Sequence, residues 1–160
     1  MFDVLRAWDL AQEDFLVLKP EQSLSSAVEL MLRSIEQGKP DCAIVLGEND
    51  RYLGTLSTHR ILREIGKEIT NLGAFSNSPK TNTSRAVQAA CQIVGNESVK
   101  KYIYTKSLEI APQTSLAELL KLFSDTTAHI AVVTEAGRAL GILQLDDIFK
   151  NFAAEMLIGI

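Results

Sequence analysis

Two histidines, two cysteines and 20 carboxylates are the side chains with which this 160-residue chain could do chemistry. His59 and His129 are too few and too dispersed for a closed metal site, which takes about four ligands. No Gly-x-Ser-x-Gly elbow, Gly-rich phosphate loop or local Cys/His nucleophile pair occurs, and nothing pairs the carboxylates for acid–base work. The chain therefore reads as non-catalytic and metal-free. Four residues at two matching places carry the remaining interest: Ser57 with Arg60, and Gln144 with Asp147. A hydroxyl both donates and accepts, a carboxylate only accepts, and a guanidinium only donates. Asp146 and Asp147 fall in the first turn of a helix, where carboxylates stabilise the dipole with no ligand at all. Arg60 suits either a salt bridge or a phosphate.

These places match because the chain contains one unit twice. Leu18-Lys19-Pro20-Glu21-Gln22-Ser23-Leu24 recurs as Ile110-Ala111-Pro112-Gln113-Thr114-Ser115-Leu116, an offset of 92 residues from Pro20 to Pro112. Leu53-Gly54-Thr55-Leu56-Ser57 recurs as Leu140-Gly141-Ile142-Leu143-Gln144, an offset of 87 from Gly54 to Gly141. The difference falls between helix and strand, where loop length varies at little cost.

Each copy reads strand, helix, strand, strand, helix. Phe15 to Leu18 forms a short strand-like run stopped by Pro20. Ser23 serves as N-cap for a helix whose Leu24, Ala27, Val28, Met31 and Ile35 recur at helical spacing, and Gly38-Lys39-Pro40 ends it. In the second copy Ser115 and Glu118 make a capping box ahead of Leu116, Leu119, Leu120 and Phe123. Ala43-Ile44-Val45-Leu46 and Ile130-Ala131-Val132-Val133 are apolar strands, each followed by a polar turn and a second strand through the Leu-Gly pair, which is a hairpin pattern. Ile61, Leu62 and Ile65 open the closing helix of the first copy, and Ile148, Phe149 and Phe152 that of the second. Between the copies, Gly73 to Ser84 reads as a mobile loop, with Ser84 capping a short helix that carries Ala86, Val87, Ala90, Ile93 and Val94.

The organisation expected is an N-terminal helical segment over 1–8 (Phe2, Leu5, Trp8), repeat 1 over 9–65, a linker over 66–99, repeat 2 over 100–152, and an apolar tail over 153–160 with Met156-Leu157-Ile158. Apolar ends tend to pack on a neighbour, here a dimer or partner surface. The composition, 46% hydrophobic and 22% charged, suits a globular domain. A net charge of −4 without a basic patch argues against nucleic acid, and no apolar run approaches a membrane span. Cys42 and Cys91, one in a strand and one on a helix, read as thiols of a reducing, cytoplasmic compartment.

The duplicated Pro-x-x-Ser-Leu entry, the apolar strand with its hairpin, and the Gly-x-x-Ser and Gly-x-x-x-x-x-Asp remnants ahead of the closing helices resemble the CBS domain pair, or Bateman module. The resemblance covers nearly the whole chain outside the central linker and both ends. It implies an α/β (α+β) fold of tandem repeats, each a small three-stranded sheet with two helices, packed with pseudo-twofold symmetry around two clefts. In that family such clefts often take AMP, ADP, ATP or S-adenosylmethionine, the acid accepting from ribose hydroxyls and the Ser/Thr assisting near ribose or phosphate. Carried over, Asp147 is the ribose acceptor with Gln144 where Ser or Thr is usual; Ser57 keeps the hydroxyl of the first copy while Arg60 replaces its acid. The family also often has Pro in the apolar strand, where this chain has Ile44 and Ala131. His129 and Ile130 take the place of base-contacting backbone, and Tyr104 and Lys106 border the cleft to meet base or phosphate. The expected function is a cytoplasmic regulatory module that binds an adenosine-containing nucleotide between the repeats and signals through a partner in trans or a homodimer. The alternative is a scaffold that keeps the fold for assembly and has lost the ligand.

Overall fold

Residues 5–73 and 83–158 are described in a computed structural model. They form six helices and six strands in the order α1 (Ala7–Leu10), β1 (Val17–Leu18), α2 (Leu24–Glu36), β2 (Cys42–Leu46), β3 (Tyr52–Ser57), α3 (Thr58–Asn71), α4 (Thr83–Asn96), β4 (Leu108–Ile110), α5 (Leu116–Ser124), β5 (Ile130–Glu135), β6 (Arg138–Gln144) and α6 (Leu145–Leu157), with short 3-10 turns at Glu48–Asp50 and Val99–Tyr102. The two repeats thus give two three-stranded sheets, β1-β2-β3 and β4-β5-β6, each with its helices. Phe2 and most of the loop expected between Gly73 and Ser84 lie outside the described residues.

Local chemistry accounts for the helix limits. Ser23 Oγ accepts from the Ser26 N–H at 3.2 Å and starts α2. Gly38, at φ +78°, ends it: the Gly38 N–H donates to the Ile35 carbonyl (2.9 Å) and the Lys39 N–H to the Ser34 carbonyl (3.0 Å), the pairing of a Schellman motif. The capping box at Ser115 closes both ways, Ser115 N–H to Glu118 Oε2 at 3.0 Å and Glu118 N–H to Ser115 Oγ at 3.2 Å. Two details depart from the sequence reading. Helix α4 already includes Thr83, so Ser84 lies inside its first turn, and α6 continues through Leu157, so Met156 is helical.

The chain divides into two compact units that do not follow the order of the copies. One unit combines the N-terminal segment through Phe15 and residues Glu48–Tyr52 with Thr105 onward; the other contains Leu16–Gly47 and Leu53–Tyr104. In the first, β4 runs parallel to β5 (Leu108 beside Ala131, Ile110 beside Val133) and β5 antiparallel to β6 (Ile130 beside Gln144, Val133 beside Gly141). Its core joins Ile110, Leu116, Leu119, Phe123, Ala131, Val133, Leu143 and Ile148 with Ala7, while Leu5, Leu10 and Ala11 pack against it. The second unit sets Val17 beside Ile44 and Leu18 beside Val45, and its core draws Val94, Val99 and Tyr102 onto Leu18, Leu24, Ala27, Met31 and Leu56. Because Leu18 corresponds to Ile110, Val45 corresponds to Val133, and the counterpart of Ile44 is Val132, one residue beyond Ala131.

Each sheet is extended by one bridging residue from a segment that precedes a copy. Gln12 exchanges backbone bonds with Ile142 (Gln12 N–H to Ile142 O, 2.8 Å; Ile142 N–H to Gln12 O, 3.0 Å). Tyr104 does the same with Thr55 (2.8 and 3.0 Å). Gln12 and Tyr104 are 92 residues apart, as are Arg6 and Ser98, which bridge Ser115 and Ser23 respectively. The repeat therefore begins at about residue 6 in terms of pairing, and its opening arm sits on the sheet of the other copy.

Candidate functional site

The start of α6 gathers four of the residues singled out by the sequence. Strand β6 ends at Gln144, which lies beside Ile130 in the ladder. The next residue, Leu145, donates its N–H to the carbonyl of His129 at 2.8 Å, so the turn into α6 is tied to the start of β5. Asp147 follows at the third helical position. Its Oδ2 accepts from the Gln144 N–H at 3.3 Å and from Gln12 Nε2 at 3.4 Å. The first bond answers one orphan donor of the helix N-terminus, and the charge opposes the positive end of the dipole. Asp147 and Gln144 are half-buried, and His129 is exposed. The cluster offers an oriented carboxylate acceptor, a carboxamide side chain and a helix N-terminus, a set suited to hydroxyl and phosphate groups.

The equivalent place in the other unit is chemically different. Ser57 is the N-cap of α3, and its Oγ accepts from the Arg60 N–H at 3.1 Å. The Thr58 N–H reaches the Asp41 carbonyl at 3.2 Å, the counterpart of the Leu145–His129 bond. The Arg60 side chain turns along its own helix to Glu64, with Nε 3.5 Å from Oε1 and no well-formed hydrogen bond on that Nε. Lys67 approaches the same Glu64 oxygen at 3.3 Å. Arg60 is thus part of an intrahelical ion cluster.

The remaining candidates separate. Tyr104, 48% exposed, belongs with the first copy through its bridge to Thr55. Lys106 is exposed in the segment leading to β4, in the unit that holds Asp147. Gln12 is the residue the sequence reading missed, and a signal for it existed: it stands 92 residues before Tyr104, the same offset as Pro20 to Pro112.

Two further groups join neither place. Cys42, the first residue of β2, is 2% exposed, and burial pushes its thiol up to about 12 against a smaller lowering by the Thr55 hydroxyl. A thiol held neutral in this way is a packing group rather than a nucleophile. A shallow cavity of about 380 Å³ lined by Trp8, Ala11, Pro112 and Leu140, among others, opens at the hairpin end of the β4-β5-β6 sheet, away from Gln144. Among the described residues no group of three or more His, Cys, Asp or Glu side chains is placed to hold a metal, and no helix is long and apolar enough to cross a membrane.

The family model described as CBS domain matches twice, over residues 7–67 and 99–154. No curated protein sequence matches the chain. Among solved structures, a CBS domain-containing protein of unknown function from Bacillus anthracis superposes with a TM-score of 0.70 at 17% identity, over 96% of each chain. A CBS-domain containing protein from Agrobacterium tumefaciens gives 0.64 at 16% identity over 91% of each chain. The cytosolic domain of the Mg2+ channel MgtE, solved in complex with ATP, gives 0.66 at 16% identity, covering 91% of this chain and 48% of that one.

Proposed function

The chain belongs to the CBS domain family, of which it carries two repeats, and on that premise we propose that it is a non-catalytic regulatory module that binds an adenosine-containing nucleotide at the start of α6. The observation that carries this reading is the Asp147 carboxylate, held at the helix entrance by the Gln144 N–H. Asp147 accepts the ribose hydroxyls, Gln144 and the first turn of α6 face the phosphate side, and His129 and Ile130 offer strand backbone to the base. Lys106, exposed in the same unit, completes the border of the ligand. The ATP complex of a structurally similar domain supports the ligand class. Signalling then passes to a partner protein in the cytoplasm or through a homodimer, for which the exposed Phe149, Met156, Leu157 and Ile158 of α6 and its end supply apolar surface.

A thermal-shift series against AMP, ADP, ATP and S-adenosylmethionine tests this. A ligand at a hundred times its Kd adds about 2.7 kcal/mol, roughly 5–10 °C for a chain of this size. Asp147→Ala, with the fold intact, is expected to abolish that shift. The second reading, a ligand-free scaffold, is favoured by the engagement of both helix entrances in their own capping: Ser57 with the Arg60 N–H, Arg60 with Glu64, and Asp147 with the Gln144 N–H. It predicts a flat response to every nucleotide together with self-association or capture of a partner.

A further inference from the structure

We propose that Gln12 is a positioning residue for Asp147, so that the N-terminal arm completes the ligand site of the second repeat; the inference rests on the nucleotide reading above. The arm is held to β6 by main-chain bonds alone at this point, Gln12 N–H to Ile142 O at 2.8 Å and Ile142 N–H to Gln12 O at 3.0 Å. The Gln12 side chain is therefore not needed to dock the arm. Its Nε2 donates instead to Asp147 Oδ2 at 3.4 Å, the same oxygen that takes the Gln144 N–H at 3.3 Å. A carboxylate oxygen has two acceptor sites, so both donors fit on Oδ2 and neither draws on Oδ1. Two donors on one oxygen, one from the α6 entrance and one from the arm, fix the rotation of the carboxylate and define where Oδ1 presents itself to a pair of vicinal hydroxyls.

The internal repeat supplies an independent argument. Gln12 corresponds to Tyr104 at an offset of 92, and Asp147 corresponds to Arg60 at an offset of 87. Both Gln12 and Tyr104 occupy the same bridging place on their sheets. Where the helix entrance carries a carboxylate, the arm carries a carboxamide donor; where it carries a guanidinium, the arm carries a phenol. The two positions differ together, as expected of a donor matched to an acceptor.

Isothermal titration of the full chain with AMP, ADP and ATP, each beside its 2′-deoxy counterpart, tests the inference. Gln12→Met keeps the length of the side chain and removes the donor. For the nucleotide that the unmodified protein binds, this variant is expected to lose roughly five- to tenfold in affinity, the cost of a carboxylate no longer oriented before the ligand arrives. Binding of the deoxy counterpart should be nearly unchanged, so the preference for ribose falls by the same factor. Gln12→Ala serves as a second variant, with the apo melting temperature checking that the arm stays docked. Equal binding by the unmodified protein and Gln12→Met, with the ribose preference intact, overturns the inference and leaves the nucleotide reading standing. Parallel loss of ribo- and deoxynucleotide binding also overturns it, as the mark of a merely structural role. Absence of binding by the unmodified protein removes the reading and the inference together.

Discussion

Helices α3 and α6 begin at corresponding points of the two repeats and satisfy different orphan donors, the N3 N–H in α3 and the N-cap N–H in α6, with opposite halves of one device. A full capping box has a hydroxyl at the N-cap and a carboxylate three residues on, each reaching the other's backbone N–H. Helix α3 keeps the hydroxyl: Ser57 Oγ takes the Arg60 N–H, and Arg60 is free of capping duty and pairs with Glu64. Helix α6 keeps the carboxylate: Asp147 Oδ2 takes the Gln144 N–H. The divided signature is thus first a solution to helix initiation. It becomes a candidate site only in the second copy, because a carboxylate whose two donors share Oδ2 keeps acceptor capacity on Oδ1, whereas a guanidinium has none to offer.

The strongest way to break this symmetry lies one strand earlier. A Cβ on Gly54 would fall well inside contact distance of the Tyr104 carbonyl oxygen and 2.6 Å from Ile103 Cγ2, whereas on Gly141 it would meet Ala11 Cβ and Gln12 O at 3.0 Å. Gly54→Ala is expected to cost about 3 kcal/mol in urea denaturation and Gly141→Ala about 1 kcal/mol, since overpacking against backbone cannot relax. Equal losses would show that the two arms are held alike.

Next in size is the alkaline response of the strand that begins with Cys42, whose counterpart is Ile130. The folded thiol lies near 12, raised from 9.0 by burial. Below pH 9 the thiol is protonated in both states and contributes no pH dependence. Above pH 9 the unfolded chain releases the proton while the folded one retains it, so stability falls through the window up to about 12, by roughly 1 kcal/mol per pH unit. Stability curves of the unmodified protein and Cys42→Ala should therefore converge as the pH rises from 9 to 11. A constant gap over that range would mean that Cys42 titrates normally in the fold.

Smaller effects address the caps themselves. Ser57→Ala removes the hydroxyl cap of α3 and should cost about 1 kcal/mol. Gln144→Ser joins a hydroxyl to Asp147, completes the box of α6, and is expected to stabilise by about 0.5 kcal/mol. Arg60→Glu completes the opposite box on paper, yet it removes the pair with Glu64 and sets two carboxylates four residues apart, so its net effect should be close to zero. Chemical denaturation resolves all three; a gain from Arg60→Glu equal to that from Gln144→Ser would show that the Arg60–Glu64 pair contributes nothing.

Much of the fold is legible in the sequence because its signals are local. Ser23, Gly38 and the Ser115–Glu118 box act on backbone groups within six residues, and the alternation of apolar strands with helical stripes survives duplication intact. The candidate site was legible only in part. Comparing the copies singled out Ser57, Arg60, Gln144 and Asp147, and they do meet in pairs at the helix entrances. The division of labour within each pair was not visible, because the same residue types describe a cap and a ligand contact equally well. Gln12 was missed because a single bridging residue leaves no periodicity, and its partner Asp147 stands 135 positions away.

What the sequence determined by itself was the duplicated unit, the order of elements in each copy, and the helix starts and stops, all consequences of bonds between near neighbours. What only the tertiary structure decided was the ownership of the arms. Residues 6–12 pair with Ile142 and Ser115 of the second copy, and residues 98–104 with Thr55 and Ser23 of the first. Backbone donors and acceptors at a sheet edge carry no label for the copy they came from. Which segment satisfies them depends on where the folded chain brings its ends, and that exchange is what places Gln12 beside Asp147.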